Sequence, residues 1–141
     1  MEELNLVEKV IALEGVELLS GLTPEQVASV AMVATEVHFP SNRTVLDENG
    51  PVDALYVVVD GSIELRRHEE VLDTAGTNAV LGAWALFDED EPLRLTAKTL
   101  EESRLLRIGR DDFYDLLADN SDITSAMFST LVKRFRKLVE Q

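Results

Sequence analysis

Leu81-Gly-Ala-Trp-Ala-Leu-Phe-Asp-Glu-Asp-Glu-Pro-Leu-Arg-Leu-Thr-Ala97 is the stretch on which the reading of this chain turns. Taken as residues alone it has three parts. Gly82 leads an apolar block through Phe87, four consecutive acids run from Asp88 to Glu91, and Pro92 leads back into β-type sequence over Leu93–Lys98. In the plainest reading Trp84, Leu86, Phe87 and Leu93 fill a β-barrel and the acids form a solvated turn. Four acids also invite a Ca²⁺ or Mg²⁺ site, because hard cations take oxygen ligands. Adjacent side chains do not all converge on one ion, however, and no alternating Asp-x-Asp-x-Asp with a following Gly and Glu is present. No metal site is expected.

Outward from this stretch the chain reads as helices, then sheet, then helices. Leu4, Val7, Val10 and Ile11 recur at helical spacing, and Thr23-Pro24-Glu25-Gln26 opens a second helix with a threonine cap, proline in the first turn and glutamine at the capping-box position. From Val37 onward short β-rich runs alternate with turn residues: Val37–Phe39, Thr44–Leu46, Leu55–Val59, Ser62–Arg66, Glu70–Thr74, Leu93–Lys98 and Arg104–Ile108. That rhythm belongs to a small antiparallel barrel or sandwich. Gly109 ends it, Asp111 is the expected cap of a helix through Leu117, and Asn120-Ser121 starts a last helix through about Leu138. No internal repeat, low-complexity tract or long linker interrupts the order.

Composition narrows the function classes. With 141 residues and 45% hydrophobic content the chain is expected to form one domain around one core. No apolar run approaches the roughly 20 residues of a membrane span, and no basic, hydrophobic, cleavable leader opens the chain, so a cytoplasmic protein without membrane insertion is expected. The absence of cysteine excludes disulfides, thiol nucleophiles and zinc-thiolate sites. A net charge of −14 argues against direct binding of DNA or RNA, whose affinity depends on Lys and Arg neutralising phosphates. The charge is uneven. Residues 121–141 carry Lys133, Arg134, Arg136 and Lys137 against Asp122 and Glu140, a net of +2 that leaves −16 on the rest of the −14 total. His38 and His68 have no Ser, Cys or acid constellation around them in sequence, and His38 alternates with Val37 and Phe39 so as to point outward. No catalytic role is expected.

The opening stretch resembles the phosphate-binding cassette of cyclic-nucleotide-binding domains, whose usual form is Phe-Gly-Glu-Leu-Ala-Leu, a short polar loop, then Pro-Arg-Ala-Ala-Thr. Without a gap, Gly82, Ala85, Leu86, Pro92 and Thr96 match it. Two further segments carry the likeness: Asp53-Ala54-Leu55-Tyr56 with its apolar run to Gly61, and Arg107-Ile-Gly-Arg-Asp-Asp-Phe113. The resemblance covers roughly residues 16–139. It implies a mainly β fold with flanking α: an antiparallel β-roll, a jelly-roll-like double-stranded β-helix of eight strands, with N-terminal and C-terminal helices. The single domain over 1–141 then divides into helices at 1–34, β-roll at 35–108 and helices at 109–141.

Departures from the family pattern are of two kinds. Asn49 and Asn78 stand where the family often has glycine, and asparagine best tolerates the left-handed backbone that glycine supplies. The family's glutamate, which binds the ribose 2′-hydroxyl, falls on Ala83, and its phosphate-pairing arginine falls on Leu93. A forked arginine makes charge-assisted hydrogen bonds of about 1.5–3 kcal/mol each. Losing two of them and a sugar contact costs at least about 4 kcal/mol, or roughly a thousandfold in affinity. Binding of cAMP or cGMP in the usual way is therefore not expected. Two routes keep a ligand in view: Arg94 turned inward by a slip of the loop, helped by main-chain amides at the cassette helix, or a less polar molecule held against Ala83, Trp84 and Leu93.

The last helix offers Phe128, Val132, Phe135 and Val139 at four-three-four spacing, with Met127, Leu131 and Leu138 on a neighbouring row. This face either packs on the chain's own barrel, or serves as a homodimer interface or movable lid. The resemblance implies a non-enzymatic regulatory or sensor domain acting on a regulatory protein partner or a fused output domain, with no output module encoded in these residues. A dimerisation or scaffold role through the last helix is the remaining alternative.

Overall fold

The structure, a computed structural model, describes residues 3–83 and 95–140. They divide into two compact units: the segment that precedes Ala34 together with the one that follows Arg110, and the continuous stretch Ala34–Arg110.

The first unit begins with α1 (Leu6–Glu14) and α2 (Pro24–Met32), joined through a 3₁₀ turn at Glu17–Leu19. Both helices start with a reciprocal capping box. The Asn5 side chain accepts from the Glu8 amide at 2.8 Å while the Glu8 carboxylate accepts from the Asn5 amide, and Thr23 and Gln26 repeat the arrangement at α2. The proline at the first turn of α2 loses nothing, since its missing N–H would have had no helical partner. The unit is completed by α3 (Arg110–Asp119), most of which lies in it, and α4 (Ser121–Val139). Gln26 binds α2 to α4 by donating to Asp122 Oδ2 at 2.8 Å.

One expectation is corrected at the helix starts, and the last helix begins at Ser121 as expected. Asp111 does not cap α3: the helix begins at Arg110, whose amide donates to the Asp53 carbonyl, so Asp111 lies in the first turn. Asn120 occupies the N-cap of α4 without a side-chain cap bond, because its amide group donates to the Leu116 carbonyl instead.

The second unit holds eight strands among the described residues: β1 (Ala34–Phe39), β2 (Thr44–Leu46), β3 (Ala54–Asp60), β4 (Ile63–Arg67), β5 (Glu70–Ala75), β6 (Val80–Leu81), β7 (Thr96–Thr99) and β8 (Ser103–Gly109). They form two four-stranded sheets, in the orders β1-β8-β3-β6 and β2-β7-β4-β5, with every pairing antiparallel. Alternation puts one face of each strand inward. Val58, Leu81 and Leu105 of one sheet meet Ile63, Ala75 and Ala97 of the other in a buried cluster, with Leu46, Tyr56 and Leu65 packed half-buried against it.

Turn chemistry sets the connections. Gly61 joins β3 to β4 at φ +119°, and a Cβ there would stand 2.8 Å from the Ser103 Cα, so only glycine fits. Asn78 takes the left-handed backbone expected of it, at φ 74°. Asn49 does not: its amide donates to Asp47 Oδ1 at 2.9 Å in a turn that Asp47 organises.

Candidate functional site

Strand β6 delivers the chain to Gly82, which sits at φ +85°. A Cβ at this position would lie 3.1 Å from the Ala54 carbonyl oxygen and 3.3 Å from Leu46 Cδ1. Two of the sequence landmarks therefore meet in space, because Ala54 begins β3 and is the second residue of the Asp-Ala-Leu-Tyr segment. The close approach and the left-handed backbone both require glycine. Ala83 follows in a helical conformation, half-buried, and its methyl group can neither donate nor accept a hydrogen bond.

Among the other residues singled out in the cassette, Trp84, Ala85, Leu86, Leu93 and Arg94 lie outside the described residues, as does the acidic run Asp88–Glu91. Thr96 is described, at the start of β7. Ala97 and Thr99 are buried, so alternation turns Thr96 to the opposite face. There its hydroxyl accepts from the Glu48 amide at 3.1 Å and donates to Glu48 Oε2 at 3.2 Å. The other carboxylate oxygen of Glu48 accepts from the His68 amide at 2.9 Å, which ties the β4–β5 turn to the chain just after β2.

One inward residue escapes a motif-based reading. Ile63, Leu65 and Arg67 alternate along β4, and Ile63 and Leu65 belong to the core cluster, so Arg67 shares the inner face. Glu64 and Arg66 share the outer face and form an ion pair with each other. Period-two alternation from Ile63 was the signal in the sequence that an arginine points inward.

Elsewhere in this unit Glu36, His38 and Arg104 form a charged group across β1 and β8. The carboxylate of Glu36 lies 2.5 Å from His38 Nε2 and 3.5 Å from Arg104 Nε, and its side chain is only 7% exposed. His38 itself is exposed. Among the described residues no group of His, Asp and Glu is arranged to hold a metal ion, and no helix is long and apolar enough to cross a membrane.

In the first unit, α4 splits along its length. Ile123, Met127 and Thr130 are buried one turn apart. The candidate interface residues Phe128, Val132, Phe135 and Val139 are instead 54–65% exposed, and Leu131 and Leu138 are exposed beside them. Asp122, at the start of α4, has its carboxyl held below the ordinary value, chiefly by the hydrogen bond from Gln26.

The cyclic nucleotide-binding domain model matches residues 36–120, and the chain belongs to that family. It is 26% identical over 136 residues to a CRP-like cAMP-activated global transcriptional regulator of Mycobacterium tuberculosis, covering 93% of this chain and 59% of that protein. A cAMP-dependent protein kinase regulatory subunit of Aspergillus fumigatus is 31% identical over 113 residues, 79% of this chain and 27% of its own length. The crystal structure of the N-terminal domain of a transcriptional regulator from Streptomyces coelicolor superposes with a TM-score of 0.79 at 29% identity, covering 92% of each chain. The chain thus spans about three fifths or less of the curated relatives named here, and its fold is the family's β-roll with helices before and after it in sequence.

Proposed function

We propose that this chain is the sensor domain of a regulatory protein, one that keeps the family's frame and has lost its usual contacts to a cyclic nucleotide. The supporting observation is the junction of Gly82 and Ala83. Glycine is held in the left-handed conformation against the Ala54 carbonyl, while the next residue carries a methyl group where the family has a carboxylate. With Leu93 in place of the family's arginine, the cAMP activation named for the mycobacterial relative does not carry over in its usual form. The domain binds a different small molecule or none, carries out no catalysis, and passes its state to a regulatory protein partner or fused output domain.

The exposed row on α4 favours a second element of this reading: a further copy of the chain covers Phe128, Val132, Phe135 and Val139. A helix that leaves this many large apolar side chains in water on one face is an interaction surface. Titration calorimetry with cAMP and cGMP tests the first element. The expected dissociation constants are about 1 mM or weaker, and a value below about 10 µM would overturn it.

A further inference from the structure

We infer that Arg67 is the anion-receiving group of the β-roll interior, binding the phosphate or carboxylate of a small ligand held against Leu46, Leu65 and Leu95. Inward positions next to a core are ordinarily apolar, and a guanidinium that loses water there needs a partner. Among the described residues the Nε of Arg67 is buried without a hydrogen-bond partner. Glu70 stands opposite it across the hairpin and is exposed. The nearest acid on its own strand, Glu64, is on the other face and engaged with Arg66. The backbone fixes this direction, because β4 and β5 are joined by the two residues His68 and Glu69, both left-handed at φ 51° and 68°.

The register places this cation beside the cassette. Leu65 pairs with Ala97 and Arg66 with Thr96, so Arg67 lies one step on, next to Leu95. Leu46 pairs with Ala97 from the other side of β7, and Leu46 is the side chain packed at Gly82. Three adjacent strands therefore bring Arg67 and the Gly82 turn to one wall, with β2 and β4 about 10 Å apart at the usual strand spacing. Leu46, Leu65 and Leu95 on that wall are half-buried. A flat guanidinium fork above such side chains suits a ligand with an apolar body and a two-oxygen anionic end, a geometry that phosphate and carboxylate share.

The inference rests on the reading of the domain as a sensor that has lost the family's own arginine. The test uses the full chain and follows the arginine Nε–Hε resonances and the melting temperature. Pyrophosphate and citrate are titrated against sodium chloride at matched ionic strength. A saturable shift of the Arg67 resonance is expected with at least one of the two, which also tells phosphate from carboxylate. Read by titration calorimetry with the same anions, Arg67→Gln should weaken binding at least tenfold, Arg67→Lys should recover part of it, and Arg66→Gln should leave it unchanged. Equal binding by Arg67→Gln, or no saturable shift with either anion, overturns the assignment, and retained melting temperatures show that the variants fold. A cAMP arm separates the two readings. Tight cAMP binding that is lost in Arg67→Gln sinks the degenerate-cassette reading and keeps the Arg67 site, whereas tight binding that survives the substitution sinks both.

Discussion

Between the two sheets the apolar side chains are closed off, with Val58, Ile63 and Leu105 wholly buried, whereas along the second half of α4 the side chains of the same chemistry stand in water. The sheet interior is complete within one chain. Along α4 Phe128 and Phe135 are both more than 60% exposed, and in the proposed dimer a second copy of the chain covers them. The two regions are expected to respond differently to substitution, which makes the contrast testable.

The largest effect is expected in the sheet interior. Leu105→Ala removes a fully buried side chain facing both sheets and should cost about 2–5 kcal/mol in urea unfolding. Gly82→Ala comes next, at about 1–2 kcal/mol, since it forces a Cβ into the left-handed region and against the Ala54 carbonyl. If the protein tolerates it without loss, the cassette glycine is not structural. Phe135→Glu should change the unfolding free energy of the dilute chain by less than about 0.5 kcal/mol while halving the mass seen by light scattering at high concentration. A monomeric parent removes the dimer from the proposal.

Asp122 gives the smallest effect and a defined pH dependence. Its folded carboxyl titrates below the ordinary value near 3.8, so the bond from Gln26 adds stability that is fully present above that pH. The contribution disappears as pH falls through the lowered folded value. Asp122→Asn should therefore be slightly less stable than the parent at neutral pH and equal to it in strong acid, as read from melts at both conditions.

Much of the fold was legible because period-two alternation and turn residues are local signals. Each of the seven β-rich runs overlaps a strand, and Thr23-Pro24-Glu25-Gln26 marked the start of α2. The same capping rule applied to Asn5 and Glu8 would have placed the start of α1. The strand Val80–Leu81 was not legible, since two residues cannot show alternation and it exists only through pairing with Tyr56 and Val57. The start of α3 was misplaced by two residues because a long-range bond from the Arg110 amide to Asp53 decides it.

The site was legible in outline only. Gly82 could be assigned from its neighbours in sequence, but its reason, the Ala54 carbonyl, lies across the sheet. Thr96 matched the family pattern, yet its hydroxyl is engaged by Glu48 on the face away from the core. Arg67 was overlooked because it belongs to no motif, although counting from Ile63 turns it inward.

The central claim is that the frame persists while the nucleotide contacts have been replaced, and restoring those contacts tests it most directly. Calorimetry with cAMP on the parent and on the double variant Ala83→Glu/Leu93→Arg should show no binding tighter than about 1 mM for the parent and a gain of at least about a hundredfold for the variant. A parent that binds below about 10 µM, or a folded double variant that gains nothing, would contradict it.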